Sequence, residues 1–182
     1  MTKPRRGERI APRVLGGLTI LAACCALLIP ASAQTTAIRA GKLIDPDSGT
    51  VLAGQTILIR DNKIEAVGNN VTIPSNAKII DLTRMIVLPG LIDCHTHLAD
   101  GAHDSEPMGV FRKTAAELAL ESVPNARVTL ESGFTTVRDV GTYRALGDIA
   151  LRDAINRGDI IGPRMYVAGA YVTITGGAGA DT

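Results

Sequence analysis

Cysteine and histidine are both scarce in this sequence, and each scarcity limits what the chain can build. Two of its three cysteines, Cys24 and Cys25, fall within the first 33 residues, so Cys94 is the one cysteine in the rest of the chain. A single cysteine excludes an internal disulfide there, and we expect its thiol to be a small buried apolar group. Imidazoles are equally few, since the chain has three histidines: His95, His97 and His103.

Residues 1–33 have the three parts of a secretory signal peptide. A start rich in lysine and arginine leads into the apolar run Val14–Ile29, and Ala31-Ser32-Ala33 is a small-residue cleavage signal. A membrane span needs about 20 apolar residues, and this apolar run is shorter. We therefore predict cleavage after Ala33, export to the periplasm or the exterior, and no membrane span in the mature chain. Lipidation at Cys24 is the alternative, although the apolar run continues past that residue.

No charge of one sign dominates the chain beyond this leader. The whole sequence has 19 basic and 18 acidic residues, and residues 1–33 hold five of the basic ones and one of the acidic ones, which leaves 14 basic and 17 acidic. A slight acidic excess without a basic cluster argues against nucleic acid as a partner.

Residues 34–87 predict a small antiparallel β unit. Turn signals separate short β-rich runs, and the strongest of these signals is Asp45–Gly49. The predicted strands are Gln55–Arg60, Lys63–Val67, Lys78–Leu82 and Met85–Leu88.

From Leu88 onward the pattern changes to an alternation of strands and helices. Strands are predicted at Gly90–Cys94, Phe134–Arg138 and Arg164–Ala170, and helices at Phe111–Ser122, Pro124–Ser132 and Tyr143–Arg157. Proline fits the first turn of a helix, so Pro124 indicates a new helix start. Strands that alternate with helices favour a parallel sheet, so the predicted fold class is α/β.

The most informative stretch is Leu88–Leu98, in which an apolar run leads straight into two histidines. Residues two apart in a strand point to the same side. His95 and His97 should therefore face one point, with their imidazoles within about 5 Å of each other, as two ligands of one metal ion require. Two ordinary polar residues at a strand end are the alternative, which the preceding Pro89-Gly90 and the buried-type strand disfavour.

The segment Pro89–His97 resembles the end of the first barrel strand in the amidohydrolase superfamily, whose members are metal-dependent hydrolases built on a (β/α)8 TIM-type barrel. Gly133–Asp139 and Gly162-Pro163-Arg164 resemble its branch of imidazolonepropionase-like enzymes and Xaa-Pro or N-acyl amino-acid hydrolases. The resemblance implies that residues 34–87 are part of a β-sandwich and that residues 88–182 are the first three βα units of the barrel. A complete barrel needs about 250 residues, so the 182-residue chain is expected to be an N-terminal fragment.

The resemblance also implies hydrolysis of a C–N bond in an amide, a dipeptide or a cyclic amide, and therefore a small-molecule or peptide-like substrate. Water would be activated by one or two divalent ions, with zinc as the first candidate, and His95 and His97 would be two of the metal ligands. The other ligands and a proton-accepting aspartate would follow later strands, beyond Thr182. A catalytic metal site needs at least three protein ligands, so the alternative is an inactive remnant that binds metal weakly. The substrate's identity and the oligomeric state stay open.

Further candidates lie close to the predicted strand ends. We expect Asp93 to be structural rather than a metal ligand, and His103 to be a solvated loop histidine. Asp139 ends the second strand, where a turn aspartate is favoured over a contact with substrate or with the metal ligands. The loop Thr175–Gly177 offers backbone N–H groups to a substrate carboxylate, but Ala178 stands where close relatives often have histidine.

Overall fold

The structure, a computed structural model, describes residues 34–100, 112–143 and 146–177. The predicted leader, His103 and Ala178 lie outside these ranges. The described residues form two compact units, of which the first consists of residues 34–43 and Val51–Val87. The second consists of Ile44–Thr50 and the described residues from Leu88 onward. Neither described helix combines the length and the apolarity needed to cross a membrane.

Four strands carry the first unit: β1 (Thr35–Asp45), β2 (Thr50–Arg60), β3 (Lys63–Gly68) and β4 (Lys78–Val87). Their order in the sheet is β3-β2-β1-β4. The β2–β3 pair is antiparallel, and its tight turn places both Asp61 and Asn62 at positive φ, 49° and 61°. The β1–β4 pair is parallel, so the prediction of a wholly antiparallel unit is wrong. The segment Asn69–Ala77 is long enough to take the chain across to the far side of β1, which no strand pattern could reveal.

The second unit is an alternation of parallel strands and helices, as predicted. Its elements are β5 (Leu91–Thr96), α1 (Ala115–Glu131), β6 (Phe134–Asp139), α2 (Gly147–Arg157) and β7 (Arg164–Val167). The strands lie in the order β5-β6-β7, and both pairs are parallel. The carboxyl ends of the three strands therefore meet at one edge of the sheet. Side chains from the strands and the helices form its core, with Leu98, Ala126, Val137, Leu151 and Met165 at the centre.

Helix α1 is one continuous helix where the sequence predicted two. It begins at a capping box, in which the Thr114 hydroxyl accepts the Glu117 N–H and the Glu117 carboxylate accepts the Thr114 N–H. Pro124 lies inside the helix rather than at the start of a second one. The buried face that contains Leu118 and Ala126 holds the helix on both sides of the proline, so tertiary packing outweighs the missing hydrogen bond.

Helix α2 begins four residues later than predicted, at Gly147 instead of Tyr143. Leu146, just before it, adopts a left-handed backbone conformation with φ 62°. Tyr143 is thereby released from the helix, and its N–H is bound by a carboxylate at the sheet edge instead.

Candidate metal centre

His95 and His97 lie at the carboxyl end of β5, and their rings approach each other closely. The ring centroids are 5.3 Å apart and the ring planes are inclined by 68°. The proximity predicted from the His-x-His spacing is therefore confirmed. In the parts of the chain that the structure describes, no three His, Cys, Asp or Glu side chains converge to hold an ion, so the role of these two histidines as ligands stays a prediction.

A bulge in β5 sets the position of His95. Asp93 pairs with Val137 and Thr96 with Asp139, so β5 has one more residue than β6 between these pairs. The Asp93 Oδ1 atom accepts the backbone N–H of His95 at 3.0 Å, which closes the bulge. Cys94 lies within it and is exposed, so the expectation of a buried thiol is wrong. The bulge interrupts the regular alternation of side chains along β5, and the Cys94 side chain is left exposed.

The Nδ1 atom of His97 is surrounded by three oxygen atoms. They are the Gly141 carbonyl oxygen at 3.1 Å, the Tyr171 hydroxyl at 3.0 Å and Oδ2 of Asp100 at 3.2 Å. Because the Tyr171 hydroxyl donates its own proton to Asp100 Oδ2 at 2.9 Å, all three oxygens can only accept from Nδ1. The Nδ1 atom therefore carries the ring proton, and the lone pair of Nε2 is left for a metal ion.

Asp100 holds this arrangement together from beneath the surface. The residue is 3% exposed, and its other oxygen, Oδ1, accepts the backbone N–H of Tyr143 at 2.7 Å. The ring of Tyr143 stands edge-on to that of Tyr171, with centroids 5.4 Å apart. Burial and the hydrogen bond to Asp100 raise the pKa of Tyr171 above its ordinary value. Tyr171 therefore stays protonated and acts as a donor.

Only glycine fits at position 141. Its φ is +133°, and a β-carbon on it would lie 2.4 Å from Cε1 of Tyr171. The absence of a side chain lets the Gly141 carbonyl reach His97 and lets the Tyr171 ring pack directly on the backbone.

Asp139 supports the backbone next to His97. It is completely buried at the end of β6, and its Oδ2 atom accepts the N–H of Leu98 at 2.6 Å. Burial raises the pKa of Asp139 to about 6, and the nearby Asp148 adds to the rise, while the Leu98 N–H opposes it. The favoured interpretation as an ordinary turn aspartate is therefore wrong, because the side chain joins β6 to the residue that follows His97.

In the glycine loop after β7, one of the N–H groups that the sequence indicated is already bonded. The Gly177 N–H donates to the Ile174 carbonyl at 2.9 Å, so this donor is used within the loop. Sequence reasoning missed Asp100, Gly141 and Tyr171. For Asp100 a signal existed, since an acidic residue three positions after His97 is within reach of its ring. For Tyr171 there was none.

Comparison with known proteins decides the family. The amidohydrolase family profile matches residues 86–181, more than half of the chain. The chain belongs to the amidohydrolase family. Members of this family act as hydrolases on C–N bonds and typically bind divalent metal ions.

Several individual amidohydrolases are similar to this one. Ochratoxinase of Aspergillus niger is 32% identical over 154 residues, which are 81% of this chain and 30% of that protein. The structure of a Xaa-Pro dipeptidase with bound methionine in the active site is 37% identical with a TM-score of 0.68, over 79% of this chain and 35% of that one. A prolidase complexed with N-methylphosphonate-L-proline is 30% identical with a TM-score of 0.70, over 81% of this chain and 35% of that one. Within the amidohydrolase family, the chain is therefore assigned to the Xaa-Pro dipeptidase-like branch. It spans about a third of the length of these relatives.

Proposed function

We propose that this chain is the N-terminal part of an exported, metal-dependent hydrolase that cleaves a C–N bond in an amide, a dipeptide or a cyclic amide. The observation that supports it most is the pair of imidazoles at the end of β5, 5.3 Å apart, with the Nδ1 edge of His97 engaged by the protein. On this proposal His95 and His97 are two ligands of one or two divalent ions, and zinc is the first candidate.

The donor atoms fit such an ion. Neutral imidazole nitrogen is a ligand that Zn²⁺ prefers, and a ligating histidine usually donates its other N–H to a carbonyl or a carboxylate. His97 does this toward Gly141 and Asp100. When bound, the ion supplies the chemistry, because zinc lowers the pKa of a coordinated water to about 7 and polarises a carbonyl group.

The chain's own residues hold the site in place. Asp93 fixes the backbone at His95, and Asp139 fixes the backbone just after His97. In both bonds a backbone N–H donates to a carboxylate, so they restrain the strand end without occupying an imidazole nitrogen. The remaining ligands and the aspartate that accepts the proton from the attacking water are proposed to follow Thr182.

The class of substrate is proposed from the relatives. A Xaa-Pro dipeptidase and a prolidase are among the similar structures, so Xaa-Pro dipeptides are the first substrates to test. N-acyl amino acids and cyclic amides come next.

The test uses the complete protein that contains this chain, loaded with Zn²⁺ and assayed with these three substrate classes. We expect zinc-dependent hydrolysis of at least one class, with turnover at background in His97→Ala and retained in His103→Ala. Absence of turnover with all three classes and with other divalent ions would favour the alternative, an inactive chain that binds metal weakly. A catalytic metal site needs at least three protein ligands, and His95 and His97 are two candidates. Residues 34–182 expressed alone should therefore show no hydrolysis.

A further inference from the structure

We propose that Asp100 and Tyr171 are positioning residues, which hold the His97 imidazole so that its Nε2 atom is presented to a divalent ion. This inference rests on the proposed function, because it concerns the same pair of ligands. Neither residue is expected to touch the ion or the substrate.

The proton on the Tyr171 hydroxyl decides the arrangement. This hydroxyl lies 2.9 Å from Asp100 Oδ2 and 3.0 Å from Nδ1 of His97, so it has two possible acceptors. A buried carboxylate oxygen left without a donor is more costly than a neutral imidazole nitrogen left without one. Asp100 is 3% exposed, so its Oδ2 atom accepts the hydrogen bond that the Tyr171 hydroxyl donates. The Nδ1 atom of His97 must then donate.

The opposite tautomer would place lone pair against lone pair. If the ring proton were on Nε2, the bare Nδ1 atom would face the Gly141 carbonyl oxygen at 3.1 Å and Asp100 Oδ2 at 3.2 Å. Both are acceptors, so they repel an unprotonated Nδ1. The surroundings of His97 therefore select one tautomer before any ion binds.

Backbone pairing next to Tyr171 holds the contact between Tyr171 and His97 in place. Ala170, the preceding residue, forms a parallel bridge with Thr142, and the Thr142 N–H donates to the Gly169 carbonyl at 3.2 Å. The chain after β7 is thus bound to the loop after β6, where Gly141 leaves room for the Tyr171 ring. These bonds hold the Tyr171 hydroxyl over the edge of His97.

The two residues should differ in their effect on metal binding. In Tyr171→Phe the Nδ1 atom keeps two acceptors, so the tautomer survives and the ring is held less firmly. In Asp100→Asn an amide N–H₂ can donate to Nδ1, which favours the wrong tautomer. Changes to residues that orient metal ligands typically weaken metal affinity by about 10- to 100-fold. We expect metal affinity to fall by about 100-fold in Asp100→Asn and by about 10-fold in Tyr171→Phe.

The experiment measures the dissociation constant for Zn²⁺ in the complete protein by competition with a chelating indicator, together with the absorption spectrum of the Co²⁺-substituted form. Tyr166→Phe and Asp159→Asn are the matched controls, since Tyr166 is 60% exposed and Asp159 lies at the surface beside Arg157. We expect weaker Zn²⁺ binding and an altered Co²⁺ spectrum in the two test variants, and wild-type values in the two controls. Thermal unfolding of the metal-free forms shows which variants are folded.

Three outcomes separate this inference from the proposed function. If His97→Ala abolishes Zn²⁺ binding while Asp100→Asn and Tyr171→Phe bind like wild type, the positioning role is wrong and the proposed ligand stands. If His97→Ala itself keeps full affinity, the proposed metal site is wrong as well. If Asp100→Asn fails to fold, Tyr171→Phe carries the test, and wild-type affinity with an unchanged Co²⁺ spectrum in that variant overturns the inference.

Discussion

The Nδ1 atom of His97 lies 3.1 Å from the carbonyl oxygen of Gly141, 44 residues further along the chain. This contact joins the end of β5 to the loop after β6, so two parallel strands that are neighbours in the sheet cooperate in orienting one imidazole. The Nδ1 atom is occupied by the protein, and Nε2 is the atom left to bind a metal ion.

Replacing Gly141 should show how much this loop matters. In Gly141→Ala the new methyl group meets the Tyr171 ring at 2.4 Å, and φ stays at +133°, which costs about 1–3 kcal/mol in the free energy of unfolding. Metal affinity should fall as well, because the carbonyl and the Tyr171 ring are displaced. Chemical denaturation and Zn²⁺ titration measure both effects.

The matched control for this change is Gly158→Ala. Gly158 also has positive φ, +80°, but a β-carbon there would meet nothing within 4 Å. Gly158→Ala should therefore lower stability by backbone strain alone and leave metal affinity unchanged. Equal effects of the two substitutions on stability and on metal affinity would show that the Tyr171 contact is unimportant.

Asp93 should matter through its bond to the His95 N–H. Asp93→Ala removes this bond, and a typical hydrogen bond contributes about 1 kcal/mol to stability. Asp81, in the first unit, offers a control of the same geometry, since its Oδ1 atom accepts the Thr83 N–H at 3.0 Å. We expect similar losses of stability in Asp93→Ala and Asp81→Ala, but weaker metal retention only in the former. Normal stability and metal content in Asp93→Ala, with turnover alone abolished, would make Asp93 catalytic instead.

Asp139 should make stability depend on pH. Its pKa is about 6 in the folded protein against 3.8 for the free side chain, so the folded state binds more protons than the unfolded state between these values. Stability from this group is therefore complete below about pH 4 and is lost as the pH rises through 6. Asp139→Asn cannot ionise, so its stability relative to the wild type should rise from pH 4 to pH 7.

The measurement is denaturation of both metal-free proteins at several pH values. A pKa difference of about two units corresponds to at most about 3 kcal/mol in the free energy of unfolding. The contributions of carboxylates that do not interact with Asp139 cancel in the comparison. A stability difference that is flat from pH 4 to pH 7 would mean that Asp139 is ionised as readily in the folded state as in the unfolded one.

The leader gives a prediction that concerns the cell rather than the site. From the small-residue signal Ala31-Ser32-Ala33 we expect the mature protein to begin at Gln34. Mass spectrometry of the N-terminal peptide from the exported fraction checks this. A mature chain that starts at a lipidated Cys24, or one that retains residues 1–33, would contradict it.

The sequence could predict the paired histidines because their approach depends on local geometry. The His-x-His spacing keeps the two rings close at the end of β5, although the bulge between Asp93 and Thr96 interrupts the regular two-residue repeat. The parallel sheet of the second unit was predictable for a similar reason, since alternating strand and helix patterns favour it. Both predictions rest on short-range periodicity.

What the sequence could not predict depends on contacts between distant segments. Tyr171 lies 74 residues after His97, and no local pattern shows that they meet. The continuity of α1 through Pro124 depends on packing against the sheet, which a helix-start rule does not include. The parallel pairing of β1 with β4 is likewise set by the route of the connecting segment. Each of these features needs the tertiary structure.

The most direct test of the central claim is the metal content of the purified complete protein. It is measured by elemental mass spectrometry in the wild type and in three variants. The variants are His95→Ala, His97→Ala and, as the control, His103→Ala. We predict a bound divalent ion, zinc first, in the wild type and in His103→Ala, and a strongly reduced content in the other two. Equal metal content in all four folded proteins would contradict the claim that His95 and His97 hold the ion.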